Sequence, residues 1–291
     1  RTGIDLRVGA IAVRSVAKHR DHVSNPDLLT TDTRAVIENP EVDLVVELIG
    51  GIEPARELIT LALGAGKPVV TGNKELLANH GAELYAAAAA NEVDLLFEAA
   101  VAGGIPLIRP LRESLVGEDV ARVMGIVNGT TNYILTQMAQ HGAAYADALA
   151  GAQQLGYAEA DPTADVEGYD AGAKAAIIAS IAFGVSVVAG DVYHEGISSI
   201  TSTDIEMAKR LDYVIKAVAV VEGDDNILQA CRAVFKSSAG RMMALSCSSV
   251  AQHHVLHVCC TSRAAGSEQQ RELRRLKAVQ HQFGEYATRL M

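Results

Sequence analysis

Short apolar runs alternate with helix-patterned segments from Leu6 to Phe97, and this alternation restricts the fold more than any other feature of the chain. An apolar stretch from Leu6 to Val13 ends in Arg14 and Ser15. A second run, DLVVELI at Asp43 to Ile49, meets the turn pair Gly50-Gly51. Pro54 suits a first helical turn, where a backbone N–H has no partner to lose. Ala55, Leu58, Ile59, Ala62 and Leu63 follow at helical spacing, and Gly64 and Gly66 supply a stop. Buried-strand candidates recur at Pro68 to Thr71 and Val93 to Phe97, and the Ala- and Leu-rich segment between them predicts a helix over 75–92. Strands alternating with helices imply a parallel sheet covered on both faces, which is a doubly wound α/β domain.

A dinucleotide-binding fold of this kind opens with a strand and a Gly-rich turn that delivers pyrophosphate to a helix N-terminus. No G-x-G-x-x-G stands near the start, so the stretch ending in Arg14 reads as a second strand and the Rossmann-like domain as truncated. An acidic residue at that strand end takes a ribose 2′-hydroxyl, whereas an Arg accommodates a 2′-phosphate. Arg14, with Ser15 and Lys18, therefore favours NADP over NAD; a solvated Arg at a strand end is the plain alternative. The opening RTGIDLRVGA lacks an initiator Met, which suggests an internal start, and has no signal-peptide pattern. A net charge of -10 argues against broad nucleic-acid binding, and no apolar run approaches the ~20 residues that span a bilayer. Cys231, Cys247, Cys259 and Cys260 all lie late, so no disulfide framework holds the main body and a reducing cytoplasm is the expected compartment.

The middle of the chain carries more specific chemistry. Val120 to Val127 reads as a strand delivering Asn128, Gly129, Thr130 and Thr131 to a helix start. Backbone donors and Thr hydroxyls at such a junction can meet a polar ligand, although an Asn-Gly turn with Thr caps is also common structural chemistry. Downstream, Glu159, Asp161, Asp165, Glu167 and Asp170 crowd a segment that Pro162 and Gly168 mark as a loop. It runs into an Ala- and Ile-rich helix over 170–183 with Lys174 inside it. Asp170 and Lys174 stand four apart on one helix face, where an ordinary surface ion pair is the bland reading. The apolar setting and the acidic approach favour another: carboxylates that hold a substrate ammonium, and an enclosed Lys that moves a proton.

The segments VVELIGGIEPAR, VVTGNKELLA, FEAAVAGGIPLIRPLRESL, GIVNGTTNYIL, LGYAEADPTADVEGYDAGAKAAI and DVYHEGI closely resemble homoserine dehydrogenases, in order, from about residue 1 to residue 222. The resemblance implies reversible NAD(P)-linked interconversion of L-homoserine and L-aspartate 4-semialdehyde, on the route to threonine and methionine. It implies that Lys174 is the general acid/base and that Lys74 acts where cofactor and substrate meet. By the same resemblance Glu159, Asp165, Asp170 and Thr130 bind substrate, and Arg14, Ile49, Gly50 and Lys74 contact the cofactor. It further implies a sodium ion held by Glu98, Val101, Gly103 and Ile105, an oxygen-rich set suited to a hard cation. The implied partners are a small amino-acid substrate and a second copy of the chain, paired through the sheet to which Tyr213 to Glu222 belongs.

After Glu222 the resemblance ends, and the charge changes sign: residues 223–291 hold nine Lys and Arg against five Asp and Glu. His253, His254, His257, Cys259 and Cys260 lack the spacing of a structural zinc site, so a grafted or frame-shifted tail explains this stretch better. The expected organisation is a truncated NAD(P)-binding domain over 1–106, an α+β catalytic and dimerisation domain over 107–222, and an atypical tail over 223–291. A catalytically impaired relative that folds or dimerises but binds cofactor poorly is the competing reading, favoured by the absent phosphate loop. Arg14 makes the cofactor preference testable. NADPH is expected to outperform NADH, and Arg14→Ala to erode that preference; an equal effect on both cofactors would refute the 2′-phosphate argument.

Overall fold

Alternating burial along three short strands organises the first part of the molecule. The protein is described by a computed structural model covering residues 6–103, 105–222, 228–236 and 259–262. The chain divides into two compact units, Arg1–Ala100 and Val101–Met291. In the first, strands β1 (Ile11–Ala12) and β2 (Leu29–Thr30) pair in parallel, with helices α1 (Val16–His19) and α2 (Thr33–Glu38) following them. Strands β3 (Val45–Glu47), β4 (Val69–Thr71) and β5 (Leu95–Leu96) form a second parallel sheet in that order. The crossovers are α3 (Ala55–Gly64) and α4 (Lys74–Ala90). Val69, Thr71, Glu47, Leu95 and Phe97 point into the core that Ile59, Leu63, Leu76 and Leu84 complete. Val46, Val70 and Leu96 lie in register on the opposite face, where Val46 is 57% and Leu96 44% exposed.

The strand expected from Leu6 to Val13 is cut to Ile11–Ala12. Leu6 and Val8 are exposed, so the earlier part of that apolar run meets no core to hold it extended. The helix expected over 75–92 starts one residue earlier, because Asn73 caps it through its side chain, which accepts from the Leu76 N–H at 3.1 Å.

The second unit is built on a mixed sheet. Strand β6 (Val120–Gly125) pairs antiparallel with β8 (Tyr213–Glu222), which pairs antiparallel with β9 (Leu228–Lys236). Strand β7 (Tyr193–His194) lies parallel to β9, and β10 (Cys259–Ser262) pairs antiparallel with β6. Helices α5 (Gly129–His141), α8 (Tyr169–Phe183) and α9 (Ser202–Arg210) pack against β8, and α6 (Tyr145–Gln154) packs on α5. Ile134, Leu135, Met138, Ala152, Ile197 and Ile215 share one apolar core. The acidic loop is not wholly loop: Thr163–Val166 forms a short helix, α7, with Pro162 at its N-cap.

The stretch read as atypical contributes β9, whose backbone register runs from Tyr213↔Lys236 to Val221↔Leu228 along nearly the whole of β8. Its pairing partner is thus the strand at which the sequence resemblance stops. His253, His254 and His257 lie outside the described residues, while Cys259 and Cys260 stand opposite Met124 and Val123 as strand residues.

Lys216 on β8 donates to Thr136 Oγ1 at 2.8 Å, and burial pushes its ammonium below the ordinary lysine range. The unfolded chain therefore binds that proton more tightly than the folded chain does. Lys216 subtracts stability while it is charged in both states, and the penalty lifts as pH climbs toward the ordinary value of 10.5. Lys216→Met is expected to raise Tm at neutral pH, because Thr136 keeps its 2.6 Å bond to the Asn132 carbonyl. The gain should shrink as pH approaches the lysine range; no gain at neutral pH would contradict it.

Candidate active site

The turn between β6 and α5 gathers a small group of charged side chains in the second unit. Asn128 has extended backbone and caps α5: its Oδ1 accepts from the Thr131 N–H and the Thr131 hydroxyl, each at 2.9 Å. That leaves the two amide hydrogens free to face the acids. Nδ2 donates to Asp165 Oδ1 at 2.6 Å and to Asp170 Oδ2 at 2.9 Å. One residue back, the Val127 carbonyl accepts from Lys174 Nζ at 2.8 Å, and Lys174 lies 2.8 Å from Asp170 Oδ2. The side chains of Lys174 and Asp170 are 16% and 3% exposed, so this is an enclosed ion pair and not a solvated one.

Asp165 reaches the cluster because α7 is pinned from outside. A Cβ on Gly196 would fall 2.4 Å from the Glu167 carboxylate and 2.8 Å from the Val166 carbonyl. Glycine alone permits that approach, which lets the Ile197 N–H donate to Val166 O at 2.7 Å. Of the expected substrate residues, Asp170 therefore meets Lys174 directly, and Asp165 joins it through the shared Asn128 amide. Thr130 donates its hydroxyl to the Tyr157 carbonyl at 2.7 Å, tying α5 to the segment that leads to Glu159. Glu159 is exposed, and its carbonyl accepts from Gln153 Nε2 at 3.1 Å.

The carboxyl edge of the sheet in the first unit has its own polar centre. Glu47, buried at the end of β3, accepts from the Thr71 hydroxyl at 2.6 Å, from the Ile49 N–H at 2.6 Å and from the Gly50 N–H at 3.1 Å. Asn73 Nδ2 donates to the Gly51 carbonyl at 2.7 Å, and the Asn73 N–H donates to Thr71 Oγ1 at 3.0 Å. Gly50 and Gly51 have φ of +77° and +72°, and nothing lies within 4 Å of where a Cβ would stand on either. The turn is thus braced from within and open above, as close approach by a nucleotide requires. Lys74 is exposed at the first turn of α4, and Arg14 is exposed just past β1. Glu98 lies near the end of this unit, and Val101, Gly103 and Ile105 begin the next. Among the described residues no group of three or more His, Cys, Asp or Glu side chains is placed to hold a metal.

Comparison with known proteins matches both units. A family model described as homoserine dehydrogenase covers residues 106–288, and one described as the homoserine dehydrogenase NAD binding domain covers residues 1–98. The chain belongs to the homoserine dehydrogenase family. It is 59% identical to the homoserine dehydrogenase of Corynebacterium glutamicum over 222 residues, which is 76% of this chain and 50% of that relative. The crystal structure of the Thiobacillus denitrificans homoserine dehydrogenase superposes with a TM-score of 0.73 at 47% identity, over 77% of this chain and 52% of that one. A hyperthermophilic archaeal homoserine dehydrogenase in complex with NADPH gives 0.63 at 28% identity, over 77% of this chain and 67% of that one. The chain spans about half the length of the curated relatives it matches. The family match runs on through residue 288, so the boundary drawn at Glu222 from the sequence stops short of it.

Two groups escaped the sequence reading. Asn128 stands in the GIVNGTTNYIL segment, where the preference of Asn for helix N-caps signals a cap but not a grip on two distant acids. Glu47 reads as an ordinary strand carboxylate, and nothing in DLVVELI marks it as buried. Glu47→Ala would strand three donors, and is expected to cost about 2–4 kcal/mol of unfolding free energy. Hydrogen exchange should show lost protection at the Ile49 and Gly50 amides. Unchanged protection would mean that the turn holds without Glu47.

Proposed function

We propose that the protein interconverts L-homoserine and L-aspartate 4-semialdehyde. The observation that carries this reading is the enclosed cluster of Lys174, Asp170 and Asp165 in a chain of the homoserine dehydrogenase family. A Lys ammonium has three N–H donors. Val127 O and Asp170 Oδ2 take two, which leaves one for a substrate oxygen. Lys174 is thereby oriented to give a proton to the alkoxide oxygen when aldehyde becomes alcohol, and to take it back in reverse. Asp165, Asp170 and Glu159 supply negative charge for the substrate ammonium, with Thr130 holding the Glu159 segment near α5.

A bound NADP, or NAD in its place, supplies the hydride donor and acceptor. The open turn at Ile49 and Gly50, with Lys74, suits its approach, and Arg14 suits a 2′-phosphate. The segment from Glu98 to Ile105 would offer a sodium ion the Glu98 carboxylate and the carbonyls of Val101, Gly103 and Ile105, an all-oxygen donor set of the kind a hard cation takes. The nucleotide-binding part is assigned to residues 1–106 and the catalytic part to 107–222. A second copy of the chain, paired through the sheet containing β8, and a cytoplasmic setting complete the proposal. No described helix is long and apolar enough to cross a membrane.

Steady-state oxidation of L-homoserine, followed as nicotinamide reduction in the whole protein, tests the reading. Lys174→Ala is expected to lower kcat by about 100-fold or more without unfolding the chain, the usual scale for a general acid/base. Glu159→Gln should act mainly on the KM for homoserine, whereas Asp170→Asn, which also removes the charge paired with Lys174, should lower kcat as well. Near-normal turnover in a folded Lys174→Ala protein would refute the assignment.

A further inference from the structure

We infer that Asn128 is a positioning residue that sets the spacing of the Asp165 and Asp170 carboxylates, and through Asp170 the placement of Lys174, by giving one amide hydrogen to each acid. The inference rests on the function proposed above and goes beyond it, because Asn128 touches neither the reacting atoms nor the cofactor in that scheme.

The amide has no freedom to turn over. Its oxygen is committed to Thr131, twice, so both hydrogens must face the acids. A planar NH₂ directs those hydrogens apart at a fixed angle, and each is taken by a different carboxylate, at 2.6 and 2.9 Å. Two carboxylates drawn to one nitrogen repel each other, and a shared neutral donor is what keeps them together in an enclosed place. Asp170 Oδ2 accepts from Asn128 and from Lys174 at once, so the direction of the Asn128 hydrogen also decides where Lys174 meets that oxygen.

The backbone of Asn128 is itself anchored to the sheet. The Asn128 carbonyl accepts from Asn132 Nδ2 at 3.0 Å. The Asn132 amide also clamps the backbone of Ala217 on β8, donating to its carbonyl at 2.8 Å and accepting from its N–H at 3.1 Å. A continuous line of hydrogen bonds thus runs from β8 through Asn132 and Asn128 to the two acids and Lys174. A residue that merely capped α5 would need its oxygen alone.

Asn128→Ser separates the two roles, since Ser keeps a capping oxygen but lacks a second donor. In this variant kcat for homoserine is expected to fall about 10- to 100-fold, the penalty for slight misplacement of reacting groups. The KM for the cofactor should stay within about twofold of wild type, in contrast to the kcat loss. Adding Asp165→Asn removes the like charge and supplies a new amide beside Asp170. The double variant should then lose at least ~5-fold less kcat than the product of the two single losses, a coupling of the kind neighbouring groups show.

The same cycle is read in Tm, which needs no turnover. Asn128→Ser should lose about 2–4 °C, and Asp165→Asn should restore at least half of it. Wild-type kcat in Asn128→Ser, or losses that simply multiply in kcat and add in Tm, would overturn the inference. A wild-type protein that fails to oxidise homoserine would instead overturn the proposed function, and the Tm cycle would still decide the role of Asn128.

Discussion

A carboxylate as enclosed as Asp170 has to be solvated by the protein itself, and the second unit is arranged around that requirement. Removing Asp170 and Lys174 from water costs more than their mutual attraction returns unless further hydrogen bonds complete both groups. The missing partners come from two adjacent residues of one turn: Asn128 Nδ2 for the acid and Val127 O for the lysine. Helix α8 delivers the ion pair, β6 delivers the turn, and α7 delivers Asp165 to the second amide hydrogen. Each element is held where it is by apolar packing, but their mutual register is set by these short polar contacts. A cluster built this way tolerates little drift, because loss of any one partner leaves another group buried and unsatisfied.

The two units use one device for two purposes. Asn73 and Asn128 each follow a strand and cap the helix after it, with the side-chain oxygen facing the helix N–H groups. Capping fixes the amide and aims its nitrogen outward. In the first unit the nitrogen holds the Gly51 carbonyl and so braces the turn after β3. In the second it holds two carboxylates. The difference lies in what the rest of the sequence brings to that nitrogen: a glycine turn bound to Glu47 in one, an acidic segment in the other.

Elements whose apolar spacing is long and regular were legible before the structure. The α3 stripe, the Ala-rich α4, the apolar α8 and the uninterrupted β8 all follow from periodicity and their flanking glycines. Short elements were not, because they depend on contacts remote in sequence. Leu6 to Val13 has the composition of a strand but pairs over two residues alone. Thr163–Val166 is a single turn, created where Gly196 allows the chain to close on Val166. The pairing of β9 with β8 could not be read from composition that departs from the preceding residues. At the site, Lys174 and Asp170 were legible as an i,i+4 pair, whereas their enclosure and the bridge from Asn128 depend on residues more than forty positions away.

In the function proposed, the β6–α5 turn and α8 form one prepared receptor for an amino-acid alcohol. A crystal structure of the protein with L-homoserine bound tests it most directly. The substrate ammonium is expected within hydrogen-bonding distance of the acidic segment, the hydroxyl facing Lys174 Nζ, and Lys174 still joined to Val127 O and Asp170. Homoserine bound away from Lys174, or a Lys174 that abandons both partners to reach it, would show that the turn and α8 are not such a receptor.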